Sequence, residues 1–239
     1  MKTYHSNNIR NIAVAGHAGR GKTTLCEAML YVAGATDRLG KVSDGTTVMD
    51  FDPEEKKRGT TLQSAVASLE WKDVKINLID TPGLFDFAGG LAEGARAAGC
   101  MLIVTDAEKA KYDVGAEKAF AAAEARSLSK IFVINKTDAE NANFGNLFEE
   151  LQEIHGNKLC PVVVPFIEDS KIKYIVNFAQ NKAYEYKDGK ATLVDMPHSE
   201  KLDKMRDMFN ESVATASDEL MEKYFAGEPF TKTSVFITR

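Results

Sequence analysis

One stretch constrains this chain more than any other: Gly16-His17-Ala18-Gly19-Arg20-Gly21-Lys22-Thr23, a complete G-x-x-x-x-G-K-[ST] sequence. Its glycines reach backbone conformations closed to other residues, so successive N–H groups can turn inward onto phosphate oxygens. The pattern directs Lys22 to the β and γ phosphates and the Thr23 hydroxyl to Mg²⁺. Ile12-Ala13-Val14-Ala15 before it reads as a short buried strand. Thr24 to Ala33 after it reads as a helix, with Leu25, Met29 and Val32 near helical spacing. A helix starting there adds its dipole and free N–H groups to the anion site. A Gly-rich turn that merely links a strand to a helix needs neither Lys-Thr nor both flanks.

Downstream text extends the same architecture. From Thr36 to Gly59 periodicity is lost and Gly, Asp, Lys and Arg gather, as in a long functional loop. Leu62 to Trp71 alternates imperfectly, and Val74 to Asp80 places Val74, Ile76 and Leu78 on one face. The two residues Lys72-Asp73 between these runs predict an antiparallel hairpin. Phe85 to Gly99 is glycine-rich with a helical second half, Cys100 to Thr105 is an apolar strand, Val114 to Leu128 an Ala-rich helix, and Lys130 to Asn135 another strand. Strands alternating with helices predict an α/β, P-loop NTPase fold: a mainly parallel sheet covered by helices on both faces, with ligands at the carboxyl ends of the strands.

Beyond Asp138 the texture changes. Phe144 to Ile154 reads as a helix and Pro161 to Phe166 as a strand. Lys171 to Phe178 and the stretch around Tyr184 to Leu193 read as small antiparallel β structure, with Asp188-Gly189 as a turn. Ser199 then caps one long helix whose apolar positions include Leu202, Met205, Phe209, Leu220 and Tyr224. The expected division is 1–158 for the phosphate-loop domain, 159–231 for an α+β subdomain inserted into or appended to it, and 232–239 for an atypical tail.

Composition narrows the function classes. The 239 residues suffice for one large domain or a domain plus a subdomain. A net charge of −5 provides no general attraction to nucleic acid, and no sequence-specific nucleic-acid binding is expected. The polar start, Met1 to Asn11, lacks a signal-peptide core, and no apolar run approaches membrane-spanning length. Cys26, Cys100 and Cys160 lie far apart without a C-x-x-C, which suits a reducing compartment. The expectation is a soluble, cytoplasmic protein with no membrane partner.

Two further boxes end predicted strands. Asp80-Thr81-Pro82-Gly83 fits D-x-x-G, where the carboxylate can hold a Mg²⁺ water and the Gly83 N–H can meet a γ-phosphate and sense its loss. Alone, this tetrapeptide is also an ordinary turn. Asn135-Lys136-Thr137-Asp138 fits N-K-x-D. Asp138 can accept hydrogen bonds from guanine N1–H and the 2-amino group, which adenine does not offer; rejection of that kind reaches about 10⁴-fold or more. Asn135 would brace the phosphate loop and the Lys136 stem would lie over the base. The expected ligand is GTP or GDP with Mg²⁺. Nucleotide contacts are expected from Gly16 through Thr24, from Asp80 through Gly83, and from Asn135, Lys136 and Asp138. In Arg58-Gly59-Thr60-Thr61-Leu62 a threonine could close over Mg²⁺ through its hydroxyl and over the γ-phosphate through its backbone.

With three boxes in this order, the chain resembles the GTP-binding domain of translation factors of the elongation factor G family. Asn11-Ile12, Val48-Met49-Asp50, Ile76 to Asp80, Asp86-Phe87 and Ser217 to Tyr224 also carry the likeness, which runs from about Arg10 to Thr231. The resemblance implies a ribosome-stimulated GTPase engaging the large-subunit stalk region. It also makes Thr61, rather than Thr60, the switch threonine. Catalysis would then fall to Lys22, Thr61 and Gly83, and the metal to Thr23, Thr61 and Asp80. Departures from the family pattern are informative. Leu84 stands where the family usually has the histidine that positions the attacking water. Gly19, beside Arg20, stands where an acidic residue is usual. Both features resemble the divergent elongation-factor-G-like branch. The family's Ser-Ala turn against guanine O6, its last helix and its later domains find no counterpart after Thr231, and Thr233 to Thr238 reads as a lone strand-like tail. The expected function is a GTP-binding, slowly hydrolysing domain of an elongation factor G-like protein. A nucleotide-gated or ribosome-interaction module with little hydrolysis is the alternative these residues leave open; Asp138 argues against an ATPase.

Overall fold

The computed structural model describes residues 2–168, 171–187, 189–228 and 230. The chain divides into two compact units, one ending at Leu147 and one beginning at Phe148.

The first unit contains β1 (Ile9–Ala15), α1 (Lys22–Val32), α2 (Pro53–Arg58), β2 (Ala65–Trp71), β3 (Val74–Asp80), α3 (Ala88–Ala97), β4 (Cys100–Asp106), α4 (Val114–Glu124) and β5 (Ser129–Asn135). Its sheet has the order β2-β3-β1-β4-β5. Only β2 runs antiparallel, joined to β3 by Lys72 and Asp73 at φ 48° and 63°, the mirror-image turn that matches strand twist. Alternate residues of the central strands face opposite sides. Ala13, Ala15, Met101 and Ile103 pack with Ala95 of α3 and Ala116, Ala119 and Ala123 of α4. Val14, Leu78, Leu102 and Val104 pack with Cys26 and Leu30 of α1 and with Met49. Helices therefore cover both faces of a mostly parallel sheet, as the alternating text predicts. The alanine stripe lets α4 approach closely.

Two details differ from expectation. The buried face of α1 is Thr23, Cys26, Glu27 and Leu30, whereas Val32 is 69% exposed and Leu25 and Met29 are half-buried. Glu27 is what misleads the pattern: it is buried because its carboxylate accepts the N–H groups of Val48 at 2.7 Å and Met49 at 3.2 Å. Nor is the 36–59 stretch wholly irregular. Asp52 caps α2 through the Glu54 N–H, Pro53 occupies its first turn, Glu55 closes a capping box, and Gly59 ends it at φ 62°. All three cysteines are free; Cys26 lies in the core while Cys100 and Cys160 are half-buried.

The second unit carries an antiparallel sheet of β6 (Val163–Glu168), β7 (Lys171–Asn177), β8 (Lys182–Lys187) and β9 (Lys190–Val194), in sequential order. The helix α5 (Phe144–His155) spans the division between units. The single long helix expected after Ser199 is two, α6 (Glu200–Ala214) and α7 (Asp218–Phe225). Ser217 breaks it: its hydroxyl accepts the Leu220 N–H, as Ser199 accepts that of Leu202, so each helix starts on its own cap. Phe209 of α6 packs on Phe178, with ring centroids 5.9 Å apart. Asp188 of the expected turn, Thr231 at the expected subdomain end, and the tail 232–239 lie outside the described residues.

Candidate functional site

The sheet register assembles the site. Val14 of β1 lies opposite Asp80 of β3, and Asp106 of β4 opposite Asn135 of β5, so the loops leaving these strands emerge side by side. Gly16, Gly19 and Gly21 take φ values of 138°, 75° and 88°. A Cβ at Gly16 would sit 2.2 Å from the Val104 carbonyl oxygen, and one at Gly21 would sit 2.3 Å from Asn135 Nδ2. At Gly16 the obstacle is backbone, and at Gly21 a side chain would have to displace the Asn135 amide and adopt a left-handed φ. Gly21 also caps α1, whose first residues are Lys22 and Thr23.

Lys22 is 6% exposed, and its Nζ donates to the His17 carbonyl at 3.1 Å, curling back over the loop. Burial lowers its pKa, opposed chiefly by the charge of Asp80. Gly83 lies against this ammonium. A Cβ there would come within 2.4 Å of Lys22 Nζ and 2.5 Å of the Ala18 nitrogen. Thr81 fastens the same segment to β1, both its N–H and its hydroxyl donating to the Val14 carbonyl, and Pro82 is buried beside it.

Oxygen atoms converge below the lysine. Thr23 Oγ1 donates to Asp80 Oδ2 at 2.6 Å and lies 3.1 Å from Thr61 Oγ1. Thr61 in turn donates to Asp50 Oδ1 at 2.9 Å. Asp80 is fully buried, and its Oδ1 has no hydrogen-bond partner among the described residues. Burial pushes its carboxyl up to about 7, only partly opposed by the Thr23 hydroxyl and Lys22. An orphaned buried carboxylate oxygen beside two threonine hydroxyls is a hard-oxygen donor set that fits Mg²⁺. Thr23, Thr61 and Asp80 are thus brought together as the sequence suggests. Asp50 joins them unassigned by the sequence; a lone acid inside Val48-Met49-Asp50 is its only mark there.

An open cleft runs over these groups, lined by Ala18, Gly19, Gly21 through Thr24, Asp50, Thr60, Thr61, Gly83 and Lys136. Gly16, His17, Arg20, Asp80, Thr81, Pro82 and Asn135 are not part of that lining, and Asp138 lies exposed three residues beyond β5. The Arg20 side chain is committed to other partners. Its guanidinium is bound by Asp106 and Asp113, each at 2.8 Å, and only its carbonyl faces the neighbouring loop, accepting from Asn135 Nδ2 at 2.9 Å. Leu84 is half-buried ahead of Phe85, whose ring meets the His17 ring edge-on at 5.6 Å and has Lys118 Nζ 4.0 Å from its centroid.

Two buried glutamates position the long loop, and sequence reasoning misses both. Glu27 holds Val48 and Met49, as above. Glu55 is 0% exposed; Oε1 accepts the N–H groups of Leu62 at 2.9 Å and Gln63 at 3.2 Å, and Oε2 that of Asp52 at 3.3 Å. Asp52-Pro53-Glu54-Glu55 is a readable helix start that could have given Glu55 its place.

Residues 7–238 match the family described as the elongation factor Tu GTP binding domain. The chain belongs to that family. Among its relatives are elongation factor G-like proteins of Thermotoga maritima, 35% identical over 221 residues, and of Mycobacterium tuberculosis, 35% identical over 224. These alignments cover 92% of this chain and 31% and 30% of the relatives. Elongation factor G of Mycoplasma genitalium is 31% identical over 233 residues, covering 95% and 34%. A crystal structure of a protein from Thermus thermophilus superposes with a TM-score of 0.85 at 34% identity, covering 95% of this chain and 34% of that one. The chain thus spans about a third of the length of the relatives it matches. It is a GTP-binding domain of the translation-factor type, similar to the elongation-factor-G-like branch. Among the described residues, no helix is long and apolar enough to cross a membrane.

Because the Glu55 carboxylate binds the backbone on the far side of Thr61, Glu55→Ala should free that segment before it unfolds the domain. Hydrogen exchange should show the Leu62 and Gln63 amides losing protection by about tenfold or more, the equivalent of one charge-assisted hydrogen bond, while β4 amides stay protected. Uniform loss across both would contradict this role.

Proposed function

We propose that this domain is a Mg²⁺-dependent GTP switch of a ribosome-directed translation factor, with slow intrinsic hydrolysis. The observation that carries the reading is the convergence of Lys22, Gly83, Thr23 and Thr61 on one cleft, with the buried Asp80 carboxylate bonded to Thr23 and Leu84 next in sequence after Gly83. Residues 1–158 carry the nucleotide chemistry, and 159–231 form the family's extra subdomain. The ribosome, at its large-subunit stalk region, is the proposed partner, and the cytoplasm the place of action.

Each residue's work follows from its setting. The phosphate-loop N–H groups and Lys22 bind the phosphates. Mg²⁺, held by Thr23, Thr61 and Asp80, would neutralise charge on the β and γ oxygens. Gly83, pressed against Lys22, leaves room for its N–H to meet a γ-phosphate that no side chain could share. The Thr61 hydroxyl donates its proton to Asp50, which leaves its oxygen lone pairs as a ligand a metal could take, and engagement there would order the loop between the anchors at Glu27 and Glu55. Asn135 holds the base loop to the phosphate loop, and Asp138 selects guanine.

Phosphoryl transfer to water depends on charge stabilisation and on placing the water. Leu84, with neither donor nor acceptor, cannot orient it. That side chain favours, as a second reading, a nucleotide-gated binding module that hardly turns over.

Base choice is tested by calorimetry with Mg²⁺: GDP should bind far more tightly than ADP, and Asp138→Asn should shift preference toward xanthine nucleotides. Equal affinity for GDP and ADP would refute the assignment. Leu84 is tested by single-turnover hydrolysis with saturating ribosomes. An orienting group typically contributes about 10²–10⁴-fold, so Leu84→His should accelerate cleavage by at least the lower figure. Brisk turnover by the unaltered chain, with no gain from histidine, would place water positioning elsewhere.

A further inference from the structure

Glu27 sits one helical turn after Thr23 on α1, and both side chains are buried. Its Oε1 accepts two N–H groups of the long loop, from Val48 at 2.7 Å and from Met49 at 3.2 Å. The next residue is Asp50, 2% exposed and steadied by Thr47. Asp50 Oδ2 accepts the Thr47 hydroxyl, and the Asp50 N–H donates back to that oxygen, each at 3.3 Å. Asp50 Oδ1 accepts the Thr61 proton at 2.9 Å, and Thr61 Oγ1 lies 3.1 Å from Thr23 Oγ1. These contacts form a closed circuit that begins and ends on the first turns of α1.

The second glutamate oxygen makes the circuit sensitive to its surroundings. Oε2 is buried and has no hydrogen-bond partner among the described residues. It faces Gly40, near the start of the same loop: a Cβ there would come within 2.3 Å of Oε2 and 2.9 Å of the Thr47 Cα. Gly40 lies outside the left-handed region, so space and not backbone conformation excludes a side chain. The loop therefore closes on Glu27 from two sides, with Gly40 over one oxygen and Val48-Met49 on the other. A buried carboxylate with one oxygen unpaired is costly. An apolar side chain would fill the space without that cost, but it would offer the Val48 and Met49 N–H groups no acceptor.

We propose that Glu27 is a positioning residue for the triphosphate. It fixes residues 47–50 so that Asp50 takes the Thr61 proton and leaves the Thr61 oxygen to a metal, which favours GTP over GDP although Glu27 is not part of the cleft lining. GDP is bound by the phosphate loop and the base loop, and GTP with Mg²⁺ by Thr61 as well. Disturbing residues 47–50 is therefore felt chiefly by GTP. The inference rests on the reading that Thr61 serves metal and triphosphate. Thr61→Ala tests that reading by itself: it should weaken a non-hydrolysable GTP analogue more than it weakens GDP.

The test compares the affinities of the full chain for GDP and for that analogue, both with Mg²⁺, by calorimetry. Glu27→Ala should weaken the analogue by about tenfold, the equivalent of one charge-assisted hydrogen bond, and leave GDP within about twofold. Glu27→Gln keeps an acceptor for the loop; neutral bonds are about half as strong, so its loss should be about threefold. Gly40→Ala, which leaves Glu27 in place, should reproduce the selective loss, because its methyl group pushes the loop off Oε2. In the double variant the methyl enters the space the glutamate vacates, so the loss should match that of Glu27→Ala alone. A general loss of stability would instead weaken both nucleotides together, and the two substitutions would multiply. If Glu27→Ala does not fold, Glu27→Gln and Gly40→Ala carry the same comparison. Equal losses for GDP and the analogue, an unchanged analogue affinity in Glu27→Ala or Gly40→Ala, or a multiplicative double variant would each overturn the proposal. If Thr61→Ala shows no selective loss, the reading of Thr61 fails and the inference with it; if it does and Glu27→Ala does not, the inference alone fails.

Discussion

The site depends on burying a carboxylate under the phosphate loop. Asp80 ends β3 beside Val14 because β1 and β3 pair in parallel, and its Oδ2 takes the Thr23 hydroxyl at 2.6 Å. That bond ties the D-x-x-G segment to the first turn of α1. It also leaves the other oxygen without a partner among the described residues. An isolated buried carboxylate is costly, and a fold tolerates it where a cation can be recruited. The raised carboxyl of Asp80 and the lowered ammonium of Lys22 have the same cause: burial disfavours both charges. The two groups, both held against their charged forms, lie close enough for each to temper the other's shift.

Around this fixed floor the long loop is held at two points. Glu27 grips Val48 and Met49, and Glu55 grips Leu62 and Gln63. Asp50 and Thr61 lie between the grips and contact each other. Such an arrangement confines rearrangement to the segment carrying the threonine. A ligand that offers Thr61 a better partner than Asp50 can order or release that segment without disturbing the sheet.

Much of this is legible in the sequence because it is local. A phosphate loop, two strand-ending boxes and alternating apolar runs specify backbone turns and strand order directly, and register then brings Thr23, Asp80 and Asn135 together. What is not legible depends on tertiary partners. Glu27 and Glu55 look solvent-facing by periodicity, yet they are core residues because backbone N–H groups come to them from elsewhere along the chain. Asp50 obeys no spacing rule. The break at Ser217 is written in its capping side chain, but the apolar positions on either side conceal it. Arg20 reads as a phosphate contact from its place in the loop, and only the positions of Asp106 and Asp113 show where its side chain goes.

Family membership makes this a GTP-binding domain, and the buried oxygen cluster gives that membership a physical content that one measurement can reach. The dissociation constant for GTP should be measured with excess Mg²⁺ and again with the metal removed by a chelator. If Thr23, Thr61 and Asp80 hold a cation against the β and γ phosphates, removal should weaken GTP by about tenfold or more, since uncompensated carboxylate and phosphate charges then face each other. Equal affinity with and without Mg²⁺ would contradict the account, because the buried Asp80 would then be serving the fold alone.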